Sequence, residues 1–247
     1  QTASREPTKA APPSEATTTP SSSGTLSKSA RETLLALPNE KLATPSDHYF
    51  HSNEWRHDLL VKSLSGLGGA YIGVGADQNY TMAALADSEL LLLVDFDPRI
   101  PRLHEIYDVL IRSSVTPDEL LSHFEEAQLP ATTKLLRSEL REGTDHDAIV
   151  AQFETFRERW GDYLGRVRRL ERNGEPFGWL SNTEHYAKVK RLFDEGRVHA
   201  RAGDVTGETT LRGMGSALKQ TGFPCQVIYF SNAEQFFPFT DDFVQNV

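Results

Sequence analysis

Positive charge is in short supply in this chain. Lys and Arg total 26 against 35 Asp and Glu, a formal net charge of -9. Binding a nucleic-acid backbone needs concentrated positive charge, so nucleic acid is excluded as the main partner. Cysteine is nearly absent. Cys225 stands alone, so no internal disulfide can form, and no Cys/His spacing resembles a zinc site. Its apolar surroundings predict a buried structural thiol. No apolar run approaches the ~20 residues of a membrane-spanning helix. Large apolar side chains are scarce in residues 1–30, where Ala, Pro, Ser and Thr dominate. Such a segment cannot bury enough surface to offset its ordering entropy and reads as a disordered tail. The chain opens on Gln1 rather than methionine. That fits an exported protein whose signal peptide has been removed, and equally a cytoplasmic one trimmed at its start.

The rest, residues 31–247, carries the apolar content of one folded domain. Arg31 to Leu37 is a short helix candidate stopped by Pro38. Trp55 to Leu64 is another, with Ser52 or Asn53 as its cap. Ala70 to Val74 and Leu90 to Phe96 are strands. The second is apolar at nearly every position, as in a parallel sheet covered on both faces. Arg197 to Ala202 and Cys225 to Phe230 are the third and fourth strands. Helices are expected between them, from Gln78 to Ala86 and from Glu208 to Lys219. Strand-helix alternation points to right-handed crossovers and a parallel sheet. Strands two and three lie about a hundred residues apart, far more than a crossover needs. A large helical insertion, about residues 99–196, accounts for the excess. Its longest periodic segment, Asp145 to Arg172, has six arginines off its apolar face, read as a solvated face balanced by Glu154, Glu158, Asp162 and Glu171.

The polar clusters fall at the carboxyl ends of the expected strands, where open parallel sheets bind ligands. The first strand enters Gly73-Val74-Gly75-Ala76-Asp77-Gln78-Asn79. The second ends in Asp95-Phe96-Asp97, the third in Gly203-Asp204, and the fourth in Ser231-Asn232-Ala233-Glu234. Turn glycines let backbone approach a ligand closely, and an acid at the next strand end can accept from ribose hydroxyls. His104, Tyr80, Asn232 and Glu234 are candidate proton-handling groups near the crevice. His48, His51 and His57 gather with Asp47 and Glu54 before the first strand, but His-x5-His is not a standard ligand spacing, and no metal site is expected.

Tyr71-Ile-Gly-Val-Gly-Ala-Asp-Gln-Asn-Tyr80, with Arg197-Val-His-Ala-Arg-Ala-Gly-Asp-Val205 and Tyr229-Phe-Ser-Asn-Ala-Glu234, resembles an uncharacterised bacterial family with the fold of class I S-adenosylmethionine-dependent methyltransferases. The resemblance covers roughly Gly68 to Asp97 and Arg197 to Val247. It implies a Rossmann-like α/β fold with S-adenosylmethionine as cofactor and Gly73, Gly75, Asp95 and Asp204 facing it. Asp77, Gln78, Asn79, Asp97, Ser231 and Asn232 complete the expected cofactor-binding set, and the methyl acceptor is unspecified. Tyr71 stands where that family has an acid, and Asp77 where it has a third glycine. The tip of the fourth strand is not the Asn/Asp-Pro-Pro-aromatic signature of amino-nitrogen methylation. Further C-terminal strands of the fold are expected to be missing. Two other readings stay open: a non-catalytic binding or scaffold protein with a degenerate methyltransferase fold, and a nicotinamide-dependent oxidoreductase. The last would want glycine where Gln78 stands.

Overall fold

The computed structural model describes residues 25–247. Order begins before the expected boundary at residue 30. Leu26 is buried and α1 runs Lys28–Leu35, with Ser27 Oγ accepting from Ala30 N–H at 3.1 Å as its N-cap. The earlier part of the expected tail lies outside the described residues. A long connection leads to a 3₁₀ turn at His57–Leu60 and the short α2 at Val61–Leu64. The single helix expected over 55–64 is therefore shorter and split. Ser52 Oγ accepts from Glu54 N–H at 2.9 Å and caps no helix.

Then follow β1 (Ala70–Val74), α3 (Gln78–Leu85) and β2 (Leu90–Asp95). Residues 96–197 hold the insertion: α4 (Arg99–Arg112), α5 (Pro117–Ser122), α6 (Leu129–Glu139), α7 (His146–Arg168), a hairpin of β3 (Glu171–Arg172) and β4 (Glu175–Pro176), and α8 (Thr183–Asp194). Thr116, Asp145 and Asn182 cap α5, α7 and α8 through side-chain oxygens. Two arginines of α7 are spent on neighbouring elements, with Arg168 on Asp118 at 2.9 Å and Arg157 on Glu126. The chain closes with β5 (Val198–Ala202), α9 (Thr210–Thr221), β6 (Cys225–Tyr229) and α10 (Asp241–Asn246). Gly222 stops α9 at φ +79°, a C-terminal cap that favours glycine.

The four long strands form one parallel sheet in the order β5-β2-β1-β6. Numbered within the sheet that is 3-2-1-4, an order compatible with a Rossmann-like sheet. Alternation sorts its side chains to two sides. Tyr71, Leu91 and Leu93 join a core with α3, α4, α7 and α8, while Ile72, Leu90, Leu92 and Val94 pack with α1 and α9. Every residue from Leu90 to Val94 is buried, and full burial of each leucine contributes about 1.5–3 kcal/mol. β6 is an edge strand, so Cys225 is exposed rather than buried as expected. Among the described residues no helix is long and apolar enough to cross a membrane.

Candidate functional site

Because all four strands run in parallel, their carboxyl ends share one rim. The chain leaves β1 toward β2 on one side, and β6 lies on the other, so a crevice opens where the strand order reverses. A cavity of about 470 Å³ occupies that rim. Val74, Gly75, Ala76 and Gln78 enter it from β1, and Asp95, Phe96 and Asp97 from β2. Gly203 to Thr206 follow from β5, and Ser231, Asn232 and Ala233 from β6. The connection after α1 supplies the remaining wall with Pro45, Asp47, Tyr49 and His51 to Asn53, and Phe236 and Phe237 close the far end.

The turn after β1 is built from below. Gly75 sits at φ +95°, a region that favours glycine. Its carbonyl accepts from His104 Nε2–H at 3.0 Å. That fixes the tautomer, so His104 Nδ1 accepts from the Tyr80 hydroxyl at 2.5 Å. Burial pushes the imidazole down to about 4, against the pull of the Gly75 carbonyl. His104 and Tyr80 are thus a neutral buried pair holding the turn, not proton-handling groups of the crevice. Glu234 is exposed and does not line the cavity.

Three expected cofactor contacts also point elsewhere. Gly73 faces the protein interior, where any Cβ would overlap the Asn79 amide and the Tyr71 ring. Asn79 is fully buried. Its Oδ1 accepts from the Tyr71 hydroxyl at 2.8 Å, and its Nδ2 donates to the Val74 and Ala76 carbonyls. Asp77, 1% exposed, turns toward the insertion, where Trp179 Nε1–H donates to its Oδ2 at 2.9 Å. Burial raises Asp77 to about 6 despite the hydrogen bond from Trp179 and the nearby Tyr163 hydroxyl, which both pull it down. The acid standing at the third-glycine position therefore adds no charge to the crevice wall.

Gln78 does reach the cavity. Its Nε2 donates to the Val74 carbonyl at 3.2 Å, which folds the amide over Gly75. A Cβ at Gly75 would collide with that amide, so the glycine makes room for Gln78. Asp95, at the tip of β2, accepts from Asp97 N–H at 2.8 Å through Oδ1, and its carbonyl accepts from Gly203 N–H at 2.9 Å. Part of its surface faces the crevice, yet the surrounding protein raises its carboxyl to about 7. Burial is the main cause and the Asp97 charge adds to it, while the N–H groups of Asp97 and Phe96 oppose it. Asp97 lines the cavity with both oxygens engaged. Oδ1 accepts from Arg99 N–H at 2.9 Å, and Oδ2 pairs with His48 Nδ1 at 2.6 Å. Asp204 Oδ1 accepts from the backbone and hydroxyl of Thr206, and among the described residues its Oδ2 has no hydrogen-bond partner.

The tip of β6 is tied to the connection after α1. The Tyr229 and Ser231 hydroxyls both donate to Glu54 Oε2, and Asn232 Nδ2 donates to Asn53 Oδ1 at 3.2 Å. His51 Nε2 accepts from Arg159, and its ring stacks on Tyr163 at 4.9 Å. Burial lowers His51 below its ordinary value.

Of the expected set, the crevice gathers Gly75, Gln78, Asp95, Asp97, Asp204, Ser231 and Asn232, and leaves out Gly73, Asp77 and Asn79. Asp47, Tyr49, His51 and Asn53 were not foreseen as its wall. The cluster of His and acidic residues before β1 was their signal, but among the described residues no three His, Cys, Asp or Glu side chains group as metal ligands. A family model described as a domain of unknown function, DUF7790, matches residues 49–247. The chain belongs to that family. No curated protein matches it. The DUF7790 match includes all four strand tips and begins at Tyr49, inside the crevice wall.

Proposed function

We propose that the crevice binds an adenine nucleoside of the S-adenosylmethionine type and that the domain is a methyltransferase-like protein with a Rossmann-like sheet. The observation that carries this reading is the convergence of all four parallel strand tips on one cavity of about 470 Å³ at the reversal of strand order. That volume lies within the ~300–1,000 Å³ of small-molecule sites. In this reading Asp95 accepts from the ribose hydroxyls and Asp204 Oδ2 meets the base edge. Phe96, 48% exposed beside Asp95, offers a stacking face. When bound, S-adenosylmethionine supplies a methyl group on a sulfonium, and the chain's task is to orient it and keep water away.

Charge separates this ligand from pyrophosphate cofactors. Asp47, Asp95, Asp97 and Asp204 line the crevice, and among the described residues no Lys or Arg lines it. A wall of that sign suits a sulfonium and an ammonium and opposes a pyrophosphate, which disfavours a nicotinamide cofactor. A non-catalytic binding protein is the second reading. The Gln78 amide folded over Gly75 and the fully engaged Asp97 favour it, because both fill places a cofactor would use. Calorimetric titration with S-adenosylmethionine, S-adenosylhomocysteine and NAD decides among them. Saturable heat with the first two and none with NAD is expected. Heat with NAD alone overturns the assignment, and silence from all three at millimolar ligand leaves the second reading.

A further inference from the structure

One wall of the crevice is held far more lightly than the strand tips. The connection after α1 is pinned firmly at both ends. Upstream, the Arg201 guanidinium donates to the Leu34, Leu35 and Leu37 carbonyls and closes the end of α1. Asn39 Oδ1 accepts from Ala202 N–H and Glu40 N–H donates to the Ala202 carbonyl, both at 2.8 Å, so residues 39 and 40 dock on the end of β5. Downstream, Phe50 is 2% exposed, with its ring 4.7 Å from Phe156 and 5.2 Å from Trp160.

Between these pins the chain is nearly untied. Among the described residues, none from 41 to 49 makes a backbone hydrogen bond, and Lys41, Ala43, Thr44, Ser46, Asp47 and Tyr49 are exposed. Among the described residues, the one side-chain hydrogen bond in the span is His48 Nδ1 to Asp97 Oδ2 at 2.6 Å, and the His48 ring stacks on Phe50 at 5.5 Å. Yet the same span carries Pro45, Asp47 and Tyr49 over the cavity. Few buried contacts and no backbone ladder place it at the low-stability end of the fold.

We propose that residues 41–49 are a gate over the crevice, pivoting between the Glu40 and Phe50 anchors and latched by His48 on Asp97. Ligand enters and leaves when the latch opens, and Asp47 and Tyr49 come back onto it when the latch closes. Asp97 therefore serves the site by holding its wall rather than by touching the ligand. The gate rests on the crevice being a ligand site, not on which ligand fills it.

Limited trypsin digestion of the full chain, read by mass spectrometry at the Lys41–Leu42 bond, reports the open population when opening is fast relative to cleavage. His48→Ala and Asp97→Asn should each speed that cleavage roughly 10-fold or more, the range expected for loss of a hydrogen bond to a charged group. Cleavage after Lys134, exposed in α6, should not change, which separates gate opening from general unfolding. Stopped-flow mixing with S-adenosylhomocysteine should show association and dissociation accelerating together, with a smaller change in Kd. An unchanged rate at Lys41 in both variants overturns the latch. Faster cleavage with unchanged binding rates overturns the gate while leaving the latch. If S-adenosylhomocysteine does not bind the wild type, the nucleoside reading falls, and the cleavage rates still decide the latch.

Discussion

The helical insertion and the crevice meet at α3, and each buries an aspartate whose pKa that burial raises, but only one of the two keeps a face on a cavity. On the insertion side, Asp77 lies under Trp179 amid an aromatic cluster. Tyr80 stands edge-on to Tyr107, Trp179 and Phe193, with ring centroids 5.1–5.8 Å apart. Asp77 Oδ1 and the Tyr107 hydroxyl are buried without a hydrogen-bond partner among the described residues. On the crevice side, Asp95 is raised to about 7 but keeps a face on a cavity. A ligand that donates hydrogen bonds or carries positive charge can relieve Asp95. Nothing that enters the crevice can relieve Asp77. A raised acid thus marks a binding group only where an approach to it exists.

The largest effect should come from breaking the insertion side. Trp179→Ala removes a fully buried ring and the donor to Asp77, and should cost about 3–5 kcal/mol in urea unfolding. A loss under ~1 kcal/mol would mean that the cluster is not well packed. The next effect isolates the charge. Asp77 has a folded value of about 6 against an unfolded value near 3.8. A raised acid favours the folded state below its unfolded pKa, and that contribution is lost as pH rises toward the folded value. At ~1.4 kcal/mol per unit, the loss between pH 3.8 and 6 is about 3 kcal/mol. Asp77→Asn should flatten this part of the wild-type stability curve, and parallel curves for the two proteins would refute it.

On the crevice side the prediction reverses. Asp95→Asn should leave unfolding stability equal or higher, because it removes a raised acid beside Asp97. The same change should weaken S-adenosylhomocysteine binding roughly 10- to 100-fold, the range of a charged hydrogen bond. Wild-type affinity should fall as pH drops below about 7 and Asp95 takes up its proton, and the variant should lack that dependence. Calorimetry across pH 5.5 to 8.5 reads both. Smallest of all should be Tyr49→Ala. The residue is 69% exposed, so unfolding should shift by no more than about 0.5 kcal/mol. A larger change would show the gate bound into the core.

The sheet was legible because β1 and the Leu90–Val94 stretch of β2 are apolar without interruption, which suits strands covered on both faces. The insertion was legible from chain length between strands. Side-chain direction was not. Asp77, Gln78 and Asn79 are adjacent in the turn and the first turn of α3, yet only Gln78 faces the cavity, because successive residues on a helix point about 100° apart. Cys225 reads as core from its neighbours, but a strand's place in the sheet decides its burial, and β6 is at the edge. The gate was the least legible part. Residues 41–49 have no periodicity, and their importance comes from a partner, Asp97, that is distant in sequence.

The central claim is that the strand-tip crevice is a ligand site read by Asp95. Titrating wild type and Asp95→Ala with S-adenosylmethionine in a calorimeter tests it most directly. Saturable one-to-one binding to the wild type, abolished in the variant while its melting temperature holds, is the expected result. Equal affinity in both proteins, or no heat from the wild type at millimolar ligand, would contradict it.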